Sequence, residues 1–485
     1  MLSTERNNQN VFLWALVAII PFVFMAVSFI HDQWTWGLMD DLNYLNQHGG
    51  WWSSTINNFQ GLLLWGTFRP SYAAYLAAFY PLFQNAPKLF YLFKLILVAA
   101  TLLIWGYNAR LLTGKAIAQF LLPSISLSYY FFYDSAKYLS IQEPLGLFFL
   151  GIALLCFINA GILPAAENKP LGWGWLSAGL VLLVLCVLSK EVFVTSAIAM
   201  AGMFLLTTLI YKNRSLGWLG IILFLSASAY GLFLKLGFQH GYTARYSFTD
   251  WHKISWNFHD WLSRSFVFHA PWVLLIVIFI IFRFVKREPV LRNKQESIAL
   301  ATGAALYFLF LLVLLPWQVS DFYAIPLGVF FAFFATVLLV DDLDKAGGVV
   351  IKTIIFFALI FNISVCYFSF GKMITYKNDT IRLLDWLTYN QEFQEAMQRG
   401  WNVATNAWEP GDKIPELLKI RTGIAIPHFS YVPSVKDIVT NPRILYYLYN
   451  PYSGDQDLRL IHQLYSVVFS SQNWTLFERI QGIHT

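Results

Sequence analysis

Two adjacent carboxylates, Asp40 and Asp41, stand just beyond an apolar run, Val11–Ile30, that is long enough to cross a bilayer. Ionisable groups at a membrane boundary are costly unless they are used. Between Gly37 and Gln47 the leucines Leu38, Leu42 and Leu45 repeat at helical spacing, opposite Asp40, Asn43, Tyr44 and Gln47. That pattern predicts an amphipathic helix lying on the surface. Neighbouring helical residues project about 100° apart, so the two carboxylates cannot share one proton-transfer role. One is placed to act as a base and the other to orient a substrate or metal; the alternative is a partner for the helix N-terminal dipole. A third carboxylate, Glu143, closes the turn from Asp134 and precedes Pro144 at the head of another apolar run, where an ordinary helix start would also explain it. The turn Ser189–Lys190–Glu191 interrupts what would otherwise be about forty apolar residues. A lysine at the lipid–water boundary binds phosphate as a point charge, and a self-neutralising turn is the bland alternative. Arg69, Lys137 and Arg245 are further cations suited to phosphate, the arginines bidentately. There is no Walker A loop, GxSxG elbow, HExxH or dinucleotide fingerprint.

The elements that must position these residues are membrane helices. Of the 485 residues 57% are hydrophobic, 18% aromatic and only 12% charged, which excludes a soluble domain of this length. In lipid every backbone polar group must be satisfied within its own segment, so each apolar stretch is helical. Eleven spans are predicted, at about 11–30, 90–111, 115–133, 142–162, 172–189, 191–211, 216–235, 270–286, 297–315, 322–340 and 350–370. The first is read as a retained helix and not a signal peptide, because it is long and no small-residue cleavage pattern follows. The basic loops, at Arg110 and Lys115, Lys169, Lys212 and Arg214, and Arg283 through Lys294, are assigned to the cytoplasm, which also accounts for the net charge of +6. Residues 31–89, 236–269 and 371–485 are then exoplasmic, and they hold all nine histidines. Histidine avoids lipid and these are the longest wet segments, so a shared metal site is the less economical explanation. The three cysteines fall inside predicted spans, which rules out a disulfide framework.

A second short helix, Tyr72–Phe83, follows Arg69–Pro70 and is too short to span. Residues 1–370 are thus read as the transmembrane catalytic domain, and 371–485 as a small soluble α/β domain. Its helices are expected at Thr380–Arg399 and Lys413–Thr422, and its strands near Asn402–Ala407, Ile444–Tyr449, Tyr465–Ser470 and Thr475–Ile480. Asn378–Asp379–Thr380 and Asn473–Trp474–Thr475 match the glycosylation sequon.

Taken in order, several features resemble the GT-C superfamily of membrane glycosyltransferases, which includes the protein mannosyltransferases, the aminoarabinose transferase of lipid A and the O-antigen glucosyltransferases. They are Asp40–Asp41, Arg69–Pro70, the turn Asn108–Lys115, Ser140–Glu143, Leu188–Glu191 and the segment Asp321-Phe-Tyr323-Ala-Ile-Pro326. The resemblance is one of pattern and order over most of the chain, and the motif set of the protein mannosyltransferases is incomplete. It implies an α-helical polytopic GT-C-like fold of about 11 transmembrane helices with a C-terminal α/β domain. It also implies inverting transfer of a hexosyl or pentosyl unit from a polyprenyl-phosphate donor to a glycan, lipid or protein acceptor on the exoplasmic or periplasmic face. The bacterial inner membrane is preferred to the endoplasmic reticulum. On this resemblance Asp40, Asp41 and Glu143 are catalytic, and Lys190, Arg69, Arg245 and Lys137 bind the donor phosphate. Glu191 and Tyr323 support them. The cofactor stays open: some relatives need a divalent metal such as Mg or Mn, for which Asp40, Asp41 and Glu143 are the available oxygen ligands. No nucleic-acid partner is implied. The rivals are a lipid-linked polysaccharide polymerase or O-antigen ligase, to which the basic stretch Arg245–His269 would suit, a transporter, and a membrane scaffold or receptor. A transporter would place ionisable groups near the bilayer midplane, where Lys94, about one turn into its span, comes nearest.

Overall fold

The computed structural model describes residues 2–31, 56, 60, 68–83, 86–133, 135, 141–162, 171–237, 250–290, 294–316, 321–345, 348–406, 414–419, 429–432, 434–451 and 458–480. These fall into two compact units, one built mainly of residues up to Ser369 and the other mainly of those from Phe370 onward.

The first unit is helical. Its helices are α1 (Leu2–His31), α2 (Pro70–Phe83), α3 (Pro87–Thr113), α4 (Ala118–Leu127), α5 (Glu143–Asn159), α6 (Trp173–Val187) and α7 (Val194–Tyr211). After them come α8 (Arg214–Gly237), α9 (Trp251–Val285), α10 (Lys294–Leu314), α11 (Ile325–Lys345) and α12 (Gly348–Tyr389), whose last residues lie in the second unit. Each of the eleven predicted spans falls on one of these helices. Among the described residues eight helices are long and apolar enough to cross a membrane, whereas α4, α5 and α6 are shorter. The chain is an integral membrane protein, and its surface says so independently of length. On α8 Trp218, Ile222 and Leu225 are exposed, and on α9 Leu274, Ile281 and Phe284, so each helix presents an apolar face suited to lipid. By contrast α11 is enclosed nearly all round by its neighbours.

Close packing marks the site end. At Gly146 on α5 a Cβ would lie 2.3 Å from the Phe193 ring and 2.6 Å from Ser189 Oγ, so only glycine lets the 189–193 turn sit against this helix. Helix α2 buries Tyr72, Ala73 and Leu76, and its Tyr75 and Phe79 join Phe90 and Phe93 of α3 in an aromatic cluster.

Two expectations need correction. The segment 251–269, read as part of an exoplasmic loop, is the first half of α9. Its start is capped by Asp250, whose Oδ1 accepts from the Lys253 amide at 3.0 Å, a signal hidden among basic residues. The predicted tail helix Thr380–Arg399 is broken at Asn390, which caps α13 (Gln391–Gln398) by accepting from the Phe393 amide at 2.8 Å. Upstream of that break the helix is the end of α12.

The second unit carries a five-stranded sheet in the order β2-β1-β3-β5-β4, made of β1 (Asn402–Thr405), β2 (Ser430–Tyr431), β3 (Ile444–Tyr449), β4 (Tyr465–Ser470) and β5 (Thr475–Arg479). β2, β1 and β3 are parallel, and β3, β5 and β4 antiparallel. Helices α14 (Val435–Thr440) and α15 (Arg459–Leu464) were not legible from periodicity, because each is six residues long. With the sheet they enclose Ala404, Ile438, Ile444, Tyr447, Ile461, Tyr465 and Phe477. Tyr465 locks this core, its hydroxyl donating to the Ile444 carbonyl at 3.0 Å.

Candidate active site

The turn Leu188–Glu191 joins α6 to α7, and the two ionisable residues in it face different partners. Lys190 is 4% exposed with an extended backbone, and its Nζ donates to Oε1 of Glu143, the first residue of α5, which is fully buried. The same ammonium lies 4.2 Å from the centre of the Tyr323 ring, in the turn that leads into α11. Burial pulls the Lys190 pKa below its ordinary value; the Glu143 carboxylate opposes that shift and the Arg69 cation adds to it. The second carboxylate oxygen of Glu143 is buried without a hydrogen-bond partner among the described residues. A buried lysine beside a buried glutamate in an apolar bundle is stable only as a pair, because either ion alone would carry its full desolvation cost.

Glu191 points to Arg69. The guanidinium Nε donates to both carboxylate oxygens at 2.9 and 3.1 Å, and Nη2 to Oε2 at 3.0 Å. The Phe68 amide adds a fourth hydrogen bond at 3.2 Å, and the Ser71 amide donates to the Leu188 carbonyl at 3.2 Å. Residues 68–71 are thereby tied to the 188–191 turn by side chain and backbone together, and the fork geometry is one that lysine could not supply.

Lys94 belongs to the same end of the bundle, since its Nζ donates to the Ile141 carbonyl at 3.0 Å, two residues before Glu143. The sequence singles it out only as the charge nearest to a transporter's midplane position. The signal was present all the same: a lysine one turn inside an apolar helix requires a buried acceptor. A second ionic cluster, with Lys115 Nζ 2.6 Å from Asp344 and Arg283 Nη2 2.7 Å from Asp342, gathers at the far end of α11. The 21 residues of that helix rise roughly 30 Å, a bilayer's thickness, so the Lys190–Tyr323 group and the Lys115–Asp344 group occupy opposite ends of one span.

Of the residues the sequence singled out, Glu143, Lys190, Glu191, Arg69 and Tyr323 come together here. Asp40, Asp41, Lys137 and Arg245 lie outside the described residues. For a divalent metal, two of the three implied ligands are therefore outside the described residues and the third, Glu143, is engaged by an ammonium. No group of three or more His, Cys, Asp or Glu side chains capable of holding a metal occurs among the described residues. No step is routed through a metal below.

No family model matches the sequence, and no curated protein does. Among solved structures, ArnT from Cupriavidus metallidurans in the apo state is similar at 11% identity over 97% of this chain and 98% of that one, with a TM-score of 0.48. The Archaeoglobus fulgidus oligosaccharyltransferase, solved with Zn and sulfate, is similar at 14% identity over 97% of this chain and 73% of that one, with a TM-score of 0.39.

Proposed function

We propose that this chain is a GT-C-type integral-membrane glycosyltransferase that moves a sugar from a polyprenyl-phosphate donor to an acceptor hydroxyl on the exoplasmic face. The observation that supports it most is the Lys190–Glu143 pair with the Arg69–Glu191 fork beside it. Lys190 is held by the buried Glu143 carboxylate and Arg69 by the part-buried Glu191 carboxylate at one end of the bundle, where in this reading the lipid phosphate resides. A cation fixed before the reaction stabilises charge that develops on a departing phosphate without reorganising. The phosphate is a good leaving group and needs no acid. In this reading the Lys190 ammonium, held against the Glu143 carboxylate, is the fixed point charge that binds the donor phosphate. Glu143 is in this reading a positioning residue for Lys190. Asp40 or Asp41 is the base that removes the acceptor proton, and a single displacement inverts the anomeric centre. Lys137 and Arg245 are assigned as further donor-phosphate contacts. Lys94, the residue nearest to a transporter's midplane charge, is held at the site end by the Ile141 carbonyl, which favours the transferase over the transporter.

The test is transfer from a radiolabelled polyprenyl-phosphate sugar by the protein in proteoliposomes, with Asp40→Asn and Asp41→Asn as variants. One of the two should abolish transfer while both fold normally. Full activity in both would overturn the base assignment, and uptake of a soluble solute without transfer would overturn the reaction.

A further inference from the structure

In the second unit the last turns of α12 and the edge strand β4 enclose a shallow groove of about 510 Å³ lined by Arg382, Asp385, Trp386, Tyr389, Phe469 and Ser470. The four α12 residues recur at i, i+3, i+4 and i+7, so they share one helix face over roughly 10 Å. Trp386 is held in place by Phe393 at 6.0 Å and Phe469 at 6.4 Å, ring centre to ring centre. Tyr389, at the helix end, is 82% exposed although it is a large aromatic residue. The residues after Phe370 include Lys377, Asp379, Arg382 and Asp385, so this part of α12 is polar and belongs to the soluble unit.

We infer that this groove is a glycan-binding site. A pyranose ring has an apolar face of polarised C–H groups, which matches the negative face of an aromatic ring, and a rim of hydroxyls, which needs fixed donors and acceptors. The groove offers both in the right arrangement: Trp386 and Tyr389 as platforms, with a guanidinium, a carboxylate and the Ser470 hydroxyl around them. An aliphatic peptide anchor would need an enclosed apolar pocket, which this open groove does not supply. The Trp386 ring is pinned by packing, so little ordering cost at that platform opposes a weakly binding sugar chain. The role as the holder of a glycan acceptor rests on the transferase reading; the binding itself does not.

The full chain in lipid nanodiscs is applied to an array of free oligosaccharides carrying neutral hexose, amino-sugar, uronic and phosphorylated units, and hits are measured by calorimetry. At least one class should bind, weakened tenfold or more by Tyr389→Ala and by Arg382→Ala, both at exposed positions that leave folding intact, and retained by Trp386→Phe. No glycan bound above the bare array, or binding indifferent to both alanine variants, overturns the site, as does capture of peptides in place of glycans by the same residues. Donor turnover measured in parallel separates the two proposals. Turnover without glycan binding sinks the groove alone, and glycan binding without turnover leaves the groove and sinks the transferase.

Discussion

Replacing Lys190 with methionine keeps the length and apolar stem of the side chain and removes the charge, leaving a fully buried Glu143 without its ammonium. Removing one member of a buried pair costs about 3–5 kcal/mol. The chain has one escape, which is to protonate the orphaned carboxyl. For a glutamate of ordinary acidity that costs about 4 kcal/mol at pH 7, so the two routes give the same magnitude. Escape by protonation also makes the deficit depend on pH. The folded variant holds a proton that the unfolded chain releases, so the loss is smallest near pH 4–5 and grows by about 1.4 kcal/mol per unit as pH rises. The double variant Lys190→Met, Glu143→Gln removes both charges and should recover most of the stability, since a neutral pair of similar volume is often no worse than the ion pair. Transfer activity should not recover with it, because the charge proposed to face the donor phosphate is gone. The assay is thermal unfolding of the detergent-solubilised protein between pH 5 and 8, followed by transfer in proteoliposomes. If Lys190→Met matches the wild type at pH 7, the pair is not buried as described. If the double variant regains both stability and transfer, the pair is a structural brace and its assignment to the donor phosphate fails.

The Arg69–Glu191 fork uses two guanidinium nitrogens, so Arg69→Lys should lose about as much stability as Arg69→Ala, roughly 1–3 kcal/mol, and limited proteolysis should find residues 68–71 released in both. Gly146→Ala forces a Cβ against Phe193 and Ser189; overpacking of about 1–3 kcal/mol and a displaced 189–191 turn should lower kcat more than a comparable cavity elsewhere in α5, read from kinetics alongside Tm. Asn473 is buried, and its amide and side chain donate to Asp379 at 3.0 and 2.7 Å, so expression in a secretory host should leave this sequon without glycan; occupancy found by mass spectrometry would contradict the packing. Burial, and then Glu478, raise the Tyr446 phenol above its ordinary value near 10. The folded form therefore keeps its proton longer, stability is full below about pH 10 and falls above it, and Tyr446→Phe should flatten that alkaline slope by up to about 1.4 kcal/mol per pH unit.

The legible part of the fold was that governed by the bilayer. A span announces itself through length and composition, because lipid solvates neither charge nor free backbone; among the described residues eight of the eleven predicted spans fall on helices long and apolar enough to cross a membrane, and three on shorter ones. What escaped was governed by single polar residues acting locally. Asp250 extends α9 far beyond its apolar part, and Asn390 ends one helix and starts another, each through one side-chain hydrogen bond that no window of hydrophobicity records. The site divides in the same way. Glu143, Lys190, Glu191 and Arg69 were visible as charges in apolar surroundings, but who pairs with whom was not. Adjacent residues in one turn, Lys190 and Glu191, turned out to serve two different partners 47 and 122 positions away.

The pairing is held by a feature with no charge of its own apart from Lys94. Along α3, Lys94, Thr101, Trp105 and Asn108 lie within about 60° of one another on a helical wheel. Lys94, Trp105 and Asn108 donate to the backbone carbonyls of Ile141, Leu147 and Gly151 at 3.0, 3.0 and 2.7 Å, while the single Thr101 hydroxyl hydrogen goes to Leu97 of its own helix at 2.8 Å. Hydrogen bonds from side chain to backbone cost less to satisfy in a bundle than pairs of side chains, since the acceptor is already fixed. Three of them in line fix the axial position of α5 against α3, and with it the position of Glu143. A one-turn slip would move that carboxylate about 5 Å and strand Lys190 in hydrocarbon. Trp105→Phe, which deletes one donor and keeps the ring, should therefore leave Lys190 chemistry intact but broaden it. The expected result is a lower kcat with unchanged KM for the donor, and an unchanged KM–kcat pair would show that the remaining two bonds hold the register by themselves.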